Sequence, residues 1–481
     1  MTQAINSGLP LIVACSWALL LIVVEMFSRD RRFVGVAWTT VLGFAATAAI
    51  SLHYSGDPAV YGNALALDGY AVYFNLLVCA LGAAAVLLSV EHLGDAGIVR
   101  GEYYSLMFFA VIGVVIMAAA TDLIVMFIGL ETMSMAVYVL AGIRKSDLRS
   151  NEAALKYFLL GALASALLLY GVALLYTMTG STVLADVAKA LSSTNYAASD
   201  HLVLLLATGL ILIGFGFKIA AVPFHLWAPD VYEGAPTSVT AFMATAVKAG
   251  GFAALLRTML EALAPMRAEL APVLWGAAAV TMTIGNVVAL RQTSLKRMLA
   301  YSSIAHTGYL LVGVTAGTAE AGSSVMFYLA AYGAMNIGAF GVMVALARRG
   351  RGCENISDFS GLAQTHPALA SAMALFLLSL TGIPPLGGFV GKFYVFTAAL
   401  HAGLVWLVVI AALNSVISAA YYLGVVRTMY FDKAPDDVLP SARPYAAVVV
   451  AVAAVATVLL GVAPSPVLGT AARAFRLVLL G

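Results

Sequence analysis

Apolar runs of about twenty residues, separated by short polar stretches, fill almost the whole chain. A hydrocarbon core of about 30 Å is crossed by roughly twenty residues of helix. Runs of that length fall near 9–27, 33–53, 69–89, 103–120, 122–142, 154–178, 203–232, 237–263, 271–290, 298–315, 325–347, 368–400, 405–426 and 445–463. They are continuous rather than alternating, and in lipid each backbone group must find its partner inside its own segment. Helices are therefore predicted, not the strands of a barrel. The pattern predicts an all-α fold, a polytopic membrane bundle of about fourteen transmembrane helices forming one membrane domain over residues 1–481. No basic stretch precedes the run at 9–27, which reads as a first helix rather than a cleaved signal.

Composition removes whole classes of function. Hydrophobic residues make up 62% of the 481-residue chain and charged residues 10%, whereas a soluble protein carries about a quarter of its residues charged. Mean hydropathy is +0.98. The net charge of +2 is dispersed among loops, so no nucleic-acid partner is expected; membrane lipid is the expected surrounding. Cys15, Cys79 and Cys353 lie far apart without CxxC or Cys/His spacing, which argues against a disulfide framework, an iron–sulfur cluster or a zinc site. Neither a metal nor a redox cofactor is expected in this chain.

Basic residues cluster after alternate spans: Arg29, Arg31 and Arg32; Arg100; Arg144, Lys145 and Arg149; Arg291, Lys296 and Arg297; Arg348, Arg349 and Arg351; Arg427, Lys433 and Arg443. These loops are predicted to be cytoplasmic, which places both termini outside. Arg473 and Arg476 run against that rule, and a short amphipathic helix at the headgroups would accommodate them.

Within the apolar runs stand Glu131, Lys156, Lys218, Lys248 and Lys392, with His225 and His306. Each ionisable group near the bilayer centre costs at least about 2.5–3.5 kcal/mol, so each is a functional candidate. Glu131 lies about 13 Å into its helix, near mid-depth, where a static ion pair locking helices together is the plain alternative. Lys218 precedes Pro223, His225, Pro229 and Pro236, and prolines that interrupt a span leave backbone groups free, as beside transporter binding sites. A simple kink with a snorkelling lysine is the bland reading. His225, Asp230 and Glu233 match no common metal-ligand spacing. Lys248 sits about 18 Å along the next helix among small residues. Lys392 follows a second interruption at Pro384 and Pro385. The two broken helices are five spans apart and so enter from opposite sides, as in inverted-repeat transporters. Glu152 and Lys156 are i,i+4 partners, equally consistent with an interfacial salt bridge. His306 lies among hydroxyl side chains, either as a satisfied core histidine or as part of a hydrated path. A lysine whose charge depends on burial and on a nearby carboxylate loads and releases a proton as that pair is made and broken.

Three segments carry a family resemblance: Gly216-Phe-Lys218-Ile-Ala-Ala-Val-Pro-Phe-His225-Leu-Trp-Ala-Pro-Asp-Val-Tyr-Glu-Gly-Ala-Pro236, Lys296-Arg-Met-Leu-Ala-Tyr-Ser-Ser-Ile-Ala-His306, and Gly382-Ile-Pro-Pro-Leu-Gly-Gly-Phe-Val-Gly-Lys392-Phe-Tyr394. Through them the chain resembles the antiporter-like membrane subunits of NADH-quinone oxidoreductase, respiratory complex I, over nearly its full length. The resemblance implies two inverted five-helix repeats, at 103–263 and 271–426, flanked by helices in 1–89 and 445–481, with the seventh and twelfth helices discontinuous. It implies that Glu131 and Lys218 form a coupling pair, that Lys248 is a central relay and Lys392 the outlet-side group, and that His225 and His306 switch or connect. Lys156 is a further, weaker candidate for the relay. Lysine at 392, where some sister subunits carry glutamate, and a chain ending soon after the last span fit one branch of the family. The implied function is proton translocation across a bacterial inner membrane, beside the sister antiporter-like and other complex I membrane subunits. NADH, FMN, iron–sulfur clusters and quinone are expected in partner subunits. A related subunit of a cation/proton antiporter or a membrane-bound hydrogenase, a purely structural subunit, and a stand-alone transporter are the rival readings.

Overall fold

The computed structural model describes residues 2–28, 33–54, 59–61, 63–95, 98, 100–193, 197–347, 353–434 and 443–480. Helices dominate, in the order α1 Thr2–Phe27, α2 Val34–His53, a short hairpin of β1 Ala59–Tyr61 and β2 Leu65–Leu67, α3 Gly69–Asp95, α4 Glu102–Ala119, α5 Leu123–Ala141, α6 Leu148–Thr179, α7 Leu184–Ser193, α8 Ala198–Lys218 and α9 Trp227–Gly234. There follow α10 Thr237–Phe242 and α11 Lys248–Arg257, joined by a π-helical turn at Met243–Val247 and followed by another at Thr258–Ala262. Then come α12 Arg267–Ala289, α13 Leu295–Ala316, α14 Ala319–Leu346, α15 Leu362–Thr365, α16 Pro367–Thr381, α17 Gly387–His401, α18 Val405–Phe431, α19 Pro444–Val462 and α20 Ser465–Leu480.

Twelve helices among the described residues are long and apolar enough to cross a membrane. Two expected spans fall outside that set for physical reasons. The run at 298–315 forms the buried helix α13, whose first turns carry Lys296 and Arg297. The run at 368–400 is divided into α16 and α17 by the non-helical residues 382–386, and 203–232 is divided likewise into α8 and α9 by 219–226. The polar stretches at 54–68 and 179–202, expected as loops, contain the hairpin and α7. α20 forms at the C-terminus, with Ala471, Ala474 and Phe475 inward and Arg473 exposed.

The stretch Thr237–Ala262 is buried at every residue but Glu261; α3, α4 and α14 pack around it, and Lys248 reaches from it to α13, so its polar residues lie at the centre of the bundle. Helix α13 lies directly on α12, because Gly285 and Gly308 bring backbone against backbone: a Cβ at either position would come within 2.5 Å of a main-chain nitrogen opposite. Around this centre α1, α18 and α19 turn most of their side chains outward, as a bundle in lipid requires.

Several basic residues assigned to loops are not free. Lys296 is fully buried, and Arg443, also buried, donates to the carbonyls of Val344 at 2.7 Å and Ala347 at 2.5 Å at the end of α14. Arg29, Arg31, Arg32, Arg348, Arg349, Arg351 and the side chain of Arg476 lie outside the described residues.

Helix α19 seals the second interruption. A Cβ on Gly461 would stand 1.9 Å from the Pro385 carbonyl oxygen and 2.6 Å from Leu386. Gly461→Ala should therefore destabilise the protein by about 1–3 kcal/mol or more, read as a lowered melting temperature in detergent. Gly424→Ala, where nothing lies within 4 Å in the interior of α18, should not lower the melt.

Candidate functional site

A proline cannot supply the N–H that a helical carbonyl four residues earlier needs. In lipid such a carbonyl must find another donor. Pro223 takes the donor from Ile219, Pro236 from Tyr232, and Pro384 and Pro385 from Leu380 and Thr381. The structure supplies each from a side chain. Thr307 Oγ1 donates to the Ile219 carbonyl at 2.7 Å, and Thr240 Oγ1 to that of Tyr232 at 2.8 Å. Lys392 Nζ donates to the carbonyls of Leu380 and Thr381 at 3.0 and 2.8 Å. Candidate functional residues are thus fixed by the two interruptions themselves.

Lys218 is the last residue of α8 and is 3% exposed. Its Nζ donates to Ser134 Oγ at 2.7 Å and lies 5.5, 5.6 and 5.8 Å from the ring centres of Tyr138, Tyr157 and Phe217. Glu131, one turn before Ser134 on α5, accepts a hydrogen bond from Ser165 of α6. The two charges expected to pair therefore share one helix turn without a direct ion pair, each held by its own serine. Ser134 in turn donates to the Leu130 carbonyl.

Lys248 is 2% exposed and opens α11 immediately after the first π-helical turn. Its Nζ donates to the Ser303 carbonyl at 2.6 Å, to Ser303 Oγ at 2.5 Å and to Thr307 Oγ1 at 2.9 Å, all on α13. Thr307 consequently joins Lys248 to the carbonyl next to Lys218. Tyr332 of α14 donates to Ser303 Oγ at 2.9 Å. One residue before Thr307, His306 is buried with Nδ1 2.7 Å from the Tyr328 hydroxyl and Nε2 3.3 Å from that of Tyr422, which also meets Ser302. Lys392, 4% exposed, bonds Ser415 Oγ at 2.8 Å besides its two carbonyls and rests 4.7 Å from the Tyr309 ring centre. Helix α13 is the spine of the row.

His225 lies in the non-helical stretch between α8 and α9. Asp230 and Glu233 turn instead to Arg297, at 3.0 and 2.7 Å. Lys156 is half-exposed and bonds Glu152 at 2.6 Å and Asp230 at 2.8 Å, so the structure groups it with this charged cluster and not with the buried Lys218, Lys248 and Lys392. Among the described residues no three His, Cys, Asp or Glu converge as a metal-ligand set. Sequence reasoning passed over Ser134, Ser165, Ser415, Tyr328, Tyr332 and Tyr422. It also passed over Arg257, a buried cation paired with Asp68 and Glu261. The usable signal was the proline rule, which marks the carbonyls needing donors.

These features define a polytopic helical membrane protein in which a row of buried lysines runs between two interrupted helices. A family profile described as "NADH:quinone oxidoreductase/Mrp antiporter, TM" matches residues 120–418. NADH-quinone oxidoreductase subunit N of Trichlorobacter lovleyi is 42% identical, covering 99% of this chain and 98% of its own. A chain of respiratory complex I from Thermus thermophilus with bound aureothin superimposes with a TM-score of 0.80 at 36% identity, covering 96% of this chain and 98% of that one. A chain of the Mrp complex from Dietzia sp. DQ12-45-1b, at 23% identity, TM-score 0.82 and coverage of 99% and 97%, shares the fold. The chain belongs to the NADH:quinone oxidoreductase/Mrp antiporter family and, within it, to the subunit N group, the proton-translocating membrane subunits of NADH-quinone oxidoreductase.

Thr307→Val keeps the side chain's shape and removes the hydroxyl between Lys248 and the Ile219 carbonyl. It should cost about 1–3 kcal/mol of stability and slow proton uptake by inverted membrane vesicles, while Thr307→Ser restores both. Unchanged uptake in the valine variant would exclude Thr307 from the path.

Proposed function

We propose that this chain moves protons along Glu131, Lys218, Lys248 and Lys392, with His306 linking the last two, as one subunit of a complex whose quinone reduction drives the movement. The supporting observation is Thr307, which accepts from the Lys248 ammonium and donates to the Ile219 carbonyl, so that the second lysine is hydrogen-bonded through one hydroxyl to the residue that follows the first. An ammonium exchanging one such partner changes its energy by about 1.5–3 kcal/mol. Moving a charge against 100 mV takes about 2.3 kcal/mol, so a change of partner is commensurate with the task. His225, in the break that follows Lys218, fits a switching role, and Lys156 a role in assembling the charged cluster at the basic end.

In this reading the bundle has fourteen spans, with 298–315 and the interrupted 368–400 counted, and 103–263 and 271–426 are inverted repeats. The basic end faces the cytoplasm and both termini lie outside, in a bacterial inner membrane. Sister antiporter-like subunits and other membrane subunits of respiratory complex I are its neighbours, and NADH, FMN, iron–sulfur clusters and quinone belong to partner subunits. No redox cofactor is assigned to this chain.

A structural role is favoured by one observation at one position: Lys392 holds two proline-orphaned carbonyls. Its loss would disturb folding as well as transfer. Lys218 donates to a serine hydroxyl instead and is the cleaner test. In the intact membrane assembly, Lys218→Ala should leave the native-gel band in place and lower NADH-driven quinone reduction and proton uptake by inverted vesicles together. Full turnover with full uptake would make the lysine row structural.

A further inference from the structure

The lysine row leaves one buried charged cluster unused. Arg257 lies nine residues, about 13 Å, beyond Lys248 along its helix, at the end of the bundle opposite the basic loops. Its guanidinium donates to Asp68 and, through Nε, to Glu261 Oε1 at 3.0 Å. It also bonds the Ala118 carbonyl at 2.5 Å and lies 5.3 Å from the Tyr70 ring centre. This guanidinium is 2% exposed.

The two carboxylates are not equivalent. Asp68 is fully committed: Oδ1 accepts the Ala71 amide at 2.8 Å at the start of α3, and Oδ2 takes Arg257. Glu261 is the second carboxylate on a guanidinium that neutralises only one. Two like charges in a partly desolvated site favour protonation of one of them. Glu261 is also the more accessible, 17% exposed against 11% for Asp68, one residue before its helix stretch ends at Ala262. Elements packed nearby add no opposing charge: α7 turns Leu184 and Val187 inward and leaves Asp186 and Lys189 exposed, and Arg267, which opens α12, is turned to the Ala316 carbonyl. Helix α20 lays Phe475 against Tyr70 and leaves Arg473 exposed. Arg257 and Asp68 are the charged groups that face it.

We propose that Glu261 is the proton-exchanging residue at this end of the protein, a deepening of the lysine-row reading on which it rests. An ammonium of the row gives up a proton, water relays it, and the Glu261 carboxylate binds it as the donor returns to a neutral amine. The carboxylic acid then protonates bulk water and becomes a carboxylate again. The cluster alternates between one net negative charge and none, while the Arg257–Asp68 pair stays ionised and holds the geometry.

Glu261→Gln in the intact assembly is the test, because an amide oxygen still accepts from Arg257 but binds no proton. The variant should assemble normally, lose most of its proton uptake in inverted vesicles, and lose one ionisation from the pH profile of uptake. Glu261→Asp should recover uptake with a shifted profile. Normal uptake and an unaltered profile in the glutamine variant would overturn the assignment, as would an unaltered profile in the aspartate variant should glutamine prevent assembly. Lys218→Ala run in parallel separates the two readings. If it too keeps full uptake, the lysine row has failed; if it alone loses uptake, only Glu261 has.

Discussion

Backbone carbonyls stripped of their helical donors by proline, in a solvent that offers none, set the terms for everything at the centre of this protein. Water would satisfy such a group at little cost, whereas in a bilayer each must be met by the protein. The chain meets them with Thr307, Thr240 and Lys392. A side chain that serves a carbonyl at mid-depth must itself be buried and correctly placed, which requires close-packed helices around it. The backbone contacts at Gly285 and Gly308, the sealing of the second interruption by Gly461, and the burial of Thr237–Leu260 follow from that requirement.

Helix α13 carries most of the consequence. Successive turns present Ser303 and Thr307 to Lys248 and Tyr309 to Lys392, while Ser302 and His306 meet the Tyr422 hydroxyl. Hydroxyl groups both donate and accept, so each holds an ammonium as readily as a neutral amine after rotating its proton. A carboxylate in the same place would fix the charge instead. Serine, threonine and tyrosine therefore allow buried lysines to be neither permanently charged nor permanently neutral. Glu131, held by Ser165 beside Lys218, is the acidic member of the row.

The sequence made the interruptions visible because proline acts locally: Pro223 and the Pro384–Pro385 pair mark the breaks without any knowledge of the fold. Lys218, Lys248 and Lys392 were legible by the same logic, since a lysine in an apolar run stands out. Their partners were not, because Ser134 lies 84 residues from Lys218 and Ser303 lies 55 from Lys248. Serine and threonine are also common enough in membrane helices to carry no signal alone. Charges near span ends were sorted least well. Lys296 and Arg443 read as loop residues, yet the first bonds the carbonyls of Glu233 and Ala235 and the second those ending α14. Arg257 was overlooked near its helix end, although Asp68, from the segment before α3, buries and neutralises it. Distance from a span end along the chain does not report depth when helices differ in length and tilt.

The two interruptions resolve the same physical problem in opposite ways, and this separates the roles of their lysines. At the first, a threonine from another helix takes the orphaned carbonyl, which leaves Lys218 held by one serine hydroxyl and three ring faces. At the second, Lys392 is itself the donor to both orphaned carbonyls, with Ser415 as a third partner. Releasing Lys218 exposes no backbone group, whereas releasing Lys392 exposes the Leu380 carbonyl, the Thr381 carbonyl keeping Ser415 Oγ as a donor at 3.0 Å. In the proposed relay the first lysine is the one freer to change partners and the second the one held by backbone. The row proposed here therefore has unlike ends, one held by a hydroxyl near a carboxylate and the other anchored on backbone at the far interruption.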